Sequence, residues 1–134
     1  MNKEQKMVEE WHERFEVLVA KKPMMADYKT YSLRASLIQE ELDEYKDAAT
    51  MGTTIEVADA LADLLYVVYG TAVSYGIDLE PIFAEVHRSN MSKGDPEVVR
   101  ASNGKILKSK NWTAPDLYPL IKAQIEMAKP EEKK

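Results

Sequence analysis

Two groups of carboxylates, Glu40-Glu41-Glu44 and Glu56-Asp59-Asp63, fall in the single stretch IQEELDEYKDAATMGTTIEVADALAD between Ile38 and Asp63. At about 100° per residue, a helix here places Leu33, Leu37 and Ala48 on one face with Glu41 and Glu44, and Glu40 at its edge. Gln39, Asp43 and Lys46 point elsewhere, as surface residues do. On a second helix Glu56, Asp59 and Asp63 share a wedge of roughly 60°, one turn apart. From Val57 to Val73 that helix carries no other charged residue.

Carboxylates on a core-facing stripe are costly unless positive charge meets them. No Lys or Arg occurs between Lys46 and Arg88. A divalent ion is therefore the expected partner, and Mg²⁺, with Mn²⁺ as the alternative, prefers oxygen ligands and commonly shares them with phosphates. The competing reading makes these groups solvated surface carboxylates, which for Glu56 near a helix start is equally natural.

The residues Glu40 to Glu44, EELDE, followed by Glu56 to Asp59, EVAD, resemble the E-E-x-x-E … E-x-x-D signature of the all-α nucleoside triphosphate pyrophosphohydrolases. That superfamily includes MazG, the dimeric dUTPases, the dCTP pyrophosphatases and the phosphoribosyl-ATP pyrophosphohydrolases. ADALADLLYVVYGTA, GIDL and IFAEVHRSNMSK look most like the MazG-like and phosphoribosyl-ATP-pyrophosphohydrolase-like branch, over about Leu33 to Lys110. The resemblance implies cleavage of a nucleoside triphosphate between its α- and β-phosphates, and assembly into a homodimer or a dimer of dimers. In one respect the chain departs from the common frame. Asp63-Leu64-Leu65 fits the E-x-x-D-L-L form, but Ala60 stands where Glu is expected. Glu56 and Asp59 are the preferred ligands beside Glu41 and Glu44, joined by Glu40, with Asp63 additional or outside the first set.

A chain of 134 residues, 45% hydrophobic and 31% charged, is one globular domain spanning residues 1–134. Its formal net charge of −5 argues against broad nucleic-acid binding. Without cysteine there are no disulfides, thiolate metal sites or Cys nucleophile. The start, MNKEQKMVEEWHERF, lacks the apolar core of a signal peptide, and the run Leu64 to Val73 is too short to span a bilayer. The expectation is a cytoplasmic protein without membrane or nucleic-acid partners.

Residues 3–20 read as an amphipathic helix whose stripe of Met7, Trp11, Phe15 and Leu18 is core, with stacking of Trp11 and Phe15 on a nucleobase as the alternative. Lys21-Lys22-Pro23 is expected to end it. A second helix runs from Tyr31 or Ser32 to Met51. Gly52 stops it, and Thr53 or Thr54 caps a third that runs to Tyr75, antiparallel to the second. A fourth, about Glu80 to Lys93, buries Leu79, Ile82, Phe83 and Val86; Asn90 and Lys93 extend that face as candidate ligand contacts. Gly94 to Pro115 is a long connection holding Arg100, Lys105, Lys108 and Lys110, with a hairpin at Asn103-Gly104 between VVRAS and KILKS. Residues 116–128 read as a last helix, followed by a frayed tail, PEEKK. The fold class is an all-α antiparallel bundle of about five helices, completed by oligomerisation.

The five glycines form no Walker or dinucleotide fingerprint. Metal-assisted hydrolysis remains, with Glu41, or alternatively Glu40, orienting or deprotonating the water. Asn90, Lys93, Lys105 and Lys108 are expected to hold the phosphates. A di-iron or di-manganese bundle wants Glu-x-x-His pairs, which Glu41, Glu44 and Glu56 do not form. A non-catalytic helical interaction or metal-binding module remains the alternative. The third helix is apolar nearly all round, so Leu61, Leu65, Tyr69 and Ala72 are expected to meet a second copy about a two-fold axis.

Overall fold

In the computed structural model, residues 1–128 are described. They form α1 (Lys3–Arg14), α2 (Tyr28–Met51), α3 (Thr54–Tyr75), α4 (Leu79–Met91) and α5 (Tyr118–Met127), with the short strands β1 (Val99–Arg100) and β2 (Ile106–Leu107) between α4 and α5. The expected tail PEEKK lies outside the described residues. Among the described residues the fold is all-α but for this two-stranded hairpin.

Each helix border has a local cause. Asn2 accepts from the amide of Gln5 to open α1, and Asp27 from that of Thr30 to open α2. Helix α2 therefore starts earlier than Tyr31. Between α2 and α3, Gly52 and Thr53 act as expected: the Thr53 hydroxyl accepts from the amide of Glu56 at 3.3 Å. Gly76 closes α3 in the left-handed conformation, φ 71°. Helix α1 is shorter than its apolar spacing suggests. Glu16 turns left-handed at φ 57°, and the chain leaves the helix well before Lys21.

Helix α3 is the axis of the molecule, with α2 and α1 packed along it. Both run opposite to it. Arg34 of α2 donates to the Val67 carbonyl and Thr71 hydroxyl (2.8 and 3.1 Å), whereas Ala48, later in α2, lies by Glu56, early in α3. Gln5 of α1 donates to the Ile77 carbonyl at 2.7 Å, and Trp11 meets Tyr66. By length and composition alone this 22-residue helix could cross a membrane, so the shorter run Leu64–Val73 understated it. Three carboxylates and two packed helices mark its environment here.

The core uses small residues: Val8, Ala48, Ala60, Ala72 and Val73 are buried, as are the polar Gln5, His12, Arg34, Ser74 and Ser89. The expected stripe on α1 is rotated by one position. Met7, Trp11, Phe15 and Leu18 are exposed, whereas Gln5, Val8 and His12 face inward. Leu33 is likewise exposed and its neighbour Arg34 buried; Phe83 is exposed on α4. Ala72 lies inside the chain rather than on an association face.

The second half is built around α4. Gln124 of α5 exchanges two hydrogen bonds with the Asp78 backbone, while Arg88 pairs with Glu85 at 2.7 Å and donates to the Thr113 hydroxyl. The hairpin turns at Asn103-Gly104, as its sequence indicates, with Gly104 at φ 87°. Helix α4 ends at Met91, and Ser92–Gly94 continue as a 3₁₀ turn that carries Lys93.

Candidate metal centre

Because α2 and α3 are antiparallel, each residue of α2 meets a residue of α3 at a nearly constant index sum. Arg34 reaches the Val67–Thr71 turn and Ala48 approaches Glu56, so Glu41 and Glu44 come level with the turn from Ala60 to Asp63. Carboxylate oxygens of Glu41, Glu44 and Asp63 all lie within 4.8 Å of one another. Glu44 also lines a groove of about 330 Å³ with Asp47, Ala48, Met51, Glu56, Asp59 and Ala60. The second half of the expected acidic set, Glu56 and Asp59, thus forms the rim on the α3 N-terminal side. Glu56 closes a capping contact with Thr53, whose hydroxyl lies 3.5 Å from its carboxylate. Glu40 is exposed at the edge of the cluster, and its charge acts on Glu41.

The electrostatics are those of a nest of crowded carboxylates. Oε2 of Glu41 is buried without a hydrogen-bond partner, an expensive state for a carboxylate oxygen. Burial, then the neighbouring Glu44 carboxylate, then the charges of Asp63 and Glu40 push the Glu41 carboxyl up to about 7. Asp63 is also raised, first by burial and then by Asp59 and Glu44. Among the described residues, no Lys or Arg makes an ion pair with Glu41, Glu44, Glu56, Asp59 or Asp63. Oxygen-only donors at this spacing suit Mg²⁺ or Mn²⁺.

These shifts set a pH dependence. A carboxyl whose folded pKa is raised binds more protons folded than unfolded, so its contribution to stability falls as pH rises from its unfolded value near 4.5 through about 7. Metal-free protein should therefore melt at a lower temperature at pH 8 than at pH 6. Mn²⁺ or Mg²⁺ at pH 8 should raise the melting temperature by several degrees, because a ligand bound only by the folded state stabilises it. Thermal melts of the parent and Glu41→Gln check this. An equal metal response in the variant would remove Glu41 from the site.

None of the four expected phosphate-side residues lines this groove within one chain. Asn90 is exposed near the end of α4, Lys93 sits in the 3₁₀ turn, and Lys105 is beside the hairpin turn. Lys108 places its ammonium 4.2 Å from the centre of the Trp112 ring. Among the described residues, none of the four makes a hydrogen bond or ion pair with the carboxylates. Sequence reasoning missed Arg34 and His12, which converge on Gly70 beneath the nest: a Cβ there would collide with the Arg34 guanidinium and lie 2.9 Å from His12 Nε2. Their polarity hid them from an apolar pattern.

A family model described as phosphoribosyl-ATP pyrophosphohydrolase matches residues 5–90, which include most of α1, all of α2 and α3, and most of α4. The chain belongs to this family. The phosphoribosyl-ATP pyrophosphohydrolase match takes in every carboxylate of the nest and Asn90, and stops before Lys93, Lys105 and Lys108. A curated relative, the uncharacterized protein L479 of Acanthamoeba polyphaga mimivirus, is 44% identical over 52 residues, which are 39% of this chain. The match spans about a fifth (21%) of that protein's length.

Proposed function

We propose that the chain hydrolyses a nucleoside triphosphate between its α- and β-phosphates, giving the monophosphate and pyrophosphate, with Mg²⁺ as the metal. The observation that carries this reading is the convergence of Glu41, Glu44 and Asp63 around a buried, unpaired carboxylate oxygen, in a member of a pyrophosphohydrolase family. Glu41, Glu44 and Asp63 would hold the ion, with Glu56 and Asp59 on the same groove free to complete its shell or that of a second ion. A bound divalent ion neutralises phosphate charge and makes a coordinated water more acidic. Glu41, or else Glu40 beside it, orients that water and accepts its proton. The water oxygen bonds to the α-phosphorus, the bond from that phosphorus to the bridging oxygen breaks, and pyrophosphate leaves with the electron pair.

Asn90, Lys93, Lys105 and Lys108 are proposed as the groups on the phosphate side. One chain does not bring them onto the α2–α3 groove, so their part in the site calls for a second copy. Leu61, Leu65, Val68 and Phe83 are exposed. Leu65, Val68 and Phe83 also line an apolar cleft of about 490 Å³ between α3 and α4. An apolar surface of this kind, on the side of α3 away from the nest, supports a homodimer or a dimer of dimers.

The test is incubation with each common NTP and dNTP and Mg²⁺, followed by separation of products. Monophosphate and pyrophosphate in equal amounts from a particle of at least two chains by light scattering are expected. Release of orthophosphate alone would overturn the bond assignment, and a monomer the assembly. A protein without hydrolysis and without a metal-induced thermal shift is instead a helical interaction module.

A further inference from the structure

Three aromatic side chains that face solvent lie beside the nest. Trp11, Phe15 and Tyr66 are 42%, 55% and 39% exposed. The Trp11 and Phe15 rings are 5.0 Å apart and tilted, and Trp11 meets Tyr66 edge-on at 6.3 Å. The guanidinium of Arg14 lies 5.2 Å from the centre of the Phe15 ring.

Helix register places this ledge. His12 and Arg34 meet at Gly70, and α1 and α2 both run opposite to α3. Moving up α1 from His12 to Phe15 is therefore moving down α3 from Gly70 toward Asp63. Tyr66 is three residues from Asp63, roughly 4.5 Å along the axis and on the α1 side of the carboxylate wedge. The exposed leucines of the proposed association face are on the other side of α3. The ledge thus stands about one helical turn from Asp63, and separate from the surface assigned to a second copy.

Resting on the nucleotide reading above, we propose that Trp11 and Phe15, steadied by Tyr66, bind the nucleobase of the substrate by stacking, and that this contact accepts purines and pyrimidines alike. Every base offers a π-face, so stacking discriminates weakly between bases. Discrimination needs buried donors or acceptors that only one base edge satisfies. Among the described residues, the buried side-chain polar atoms without partners are Glu41 Oε2, in the nest, and Trp112 Nε1, in the second half of the chain. None belongs to the ledge.

Two tryptophans are present, so Trp112→Phe leaves Trp11 as the single indole; Trp112 Nε1 makes no hydrogen bond that this change would break. In that background, AMP, GMP, UMP and CMP should each quench the fluorescence, and ribose 5-phosphate should not. In turnover, Trp11→Ala and the more exposed Phe15→Ala should each raise KM about tenfold for ATP, GTP, UTP and CTP together, with kcat little changed. The parent's kcat/KM should vary less than tenfold among the four. No quenching by any nucleotide, equal quenching by ribose 5-phosphate, or unchanged KM in both variants of an active enzyme would overturn the assignment. So would a parent that strongly prefers one base. Because quenching is read without turnover, an inactive parent that still binds the bases would sink the hydrolysis reading while leaving the stacking site standing.

Discussion

Asp63→Asn should lower metal-dependent hydrolysis by about a hundredfold or more while leaving the helical circular dichroism unchanged. Outer-shell partners of a metal already cost about 10- to 100-fold when removed, and a ligand should cost at least the upper end of that range. Asp63 presents an oxygen to both Glu41 and Glu44 across the helix pair, whereas Asp59 lies on the groove rim with Glu56. Asp59→Asn is the necessary comparison, because the sequence offers E-x-x-D at Glu56 and Asp59 as well as the Asp63-Leu64-Leu65 frame. The larger loss identifies the ligand. Stability should move the other way from activity. Asp63 carries a raised pKa from burial and from the charges of Asp59 and Glu44, so a neutral Asn removes repulsion from the metal-free fold. The metal-free variant should melt no lower than the parent at pH 8, and its response to Mn²⁺ should shrink. Full activity in Asp63→Asn would remove this residue from the metal set.

The features legible in the sequence are those with local causes. Gly52-Thr53 and Gly76 bound α3 as read, because a left-handed glycine and a threonine cap act within one turn. Asn103-Gly104 turned the hairpin for the same reason. The two carboxylate faces could be paired across α2 and α3 because a short break makes consecutive helices antiparallel. Features set by distant partners were not legible. Gln5 is buried because it donates to the Ile77 carbonyl and accepts from the Leu79 amide, and neither partner is near it in sequence. Once Gln5, Val8 and His12 take the inward face, Met7, Trp11 and Phe15 must turn outward, against the apolar pattern. The premature end of α1 has a similar origin. The Leu18 carbonyl accepts from the Ser74 hydroxyl at 3.0 Å and lies 3.0 Å from His12 Nδ1, and the Ala20 amide donates to Val73, holding the segment after α1 against α3.

Gly70→Ala should lower the melting temperature by roughly 5–10 °C, although alanine is the better helix former by about 1 kcal/mol. Propensity loses here to sterics and charge. A Cβ on residue 70 would overlap the Arg34 guanidinium and press on His12 Nε2 at 2.9 Å. Overpacking of this kind costs about 1–3 kcal/mol when neighbours can shift. These neighbours shift badly. Arg34 is 5% exposed, and its recorded hydrogen bonds go to neutral acceptors, the Val67 carbonyl and the Thr71 hydroxyl, so displacing it strands a buried cation. His12 is held by its contact with the Leu18 carbonyl. The double variant Gly70→Ala with Arg34→Met separates the causes. If the guanidinium is the obstacle, the two losses should fall short of additive by about 1 kcal/mol or more, since contacting residues couple at that scale. The same junction fixes the register of α1 against α2, and hence of Trp11 and Phe15 against Glu41. Gly70→Ala should therefore weaken the metal-induced thermal shift as well as the fold. A melting temperature above the parent's would show instead that Arg34 swings out of the junction at little cost, and that helix propensity governs this turn of α3.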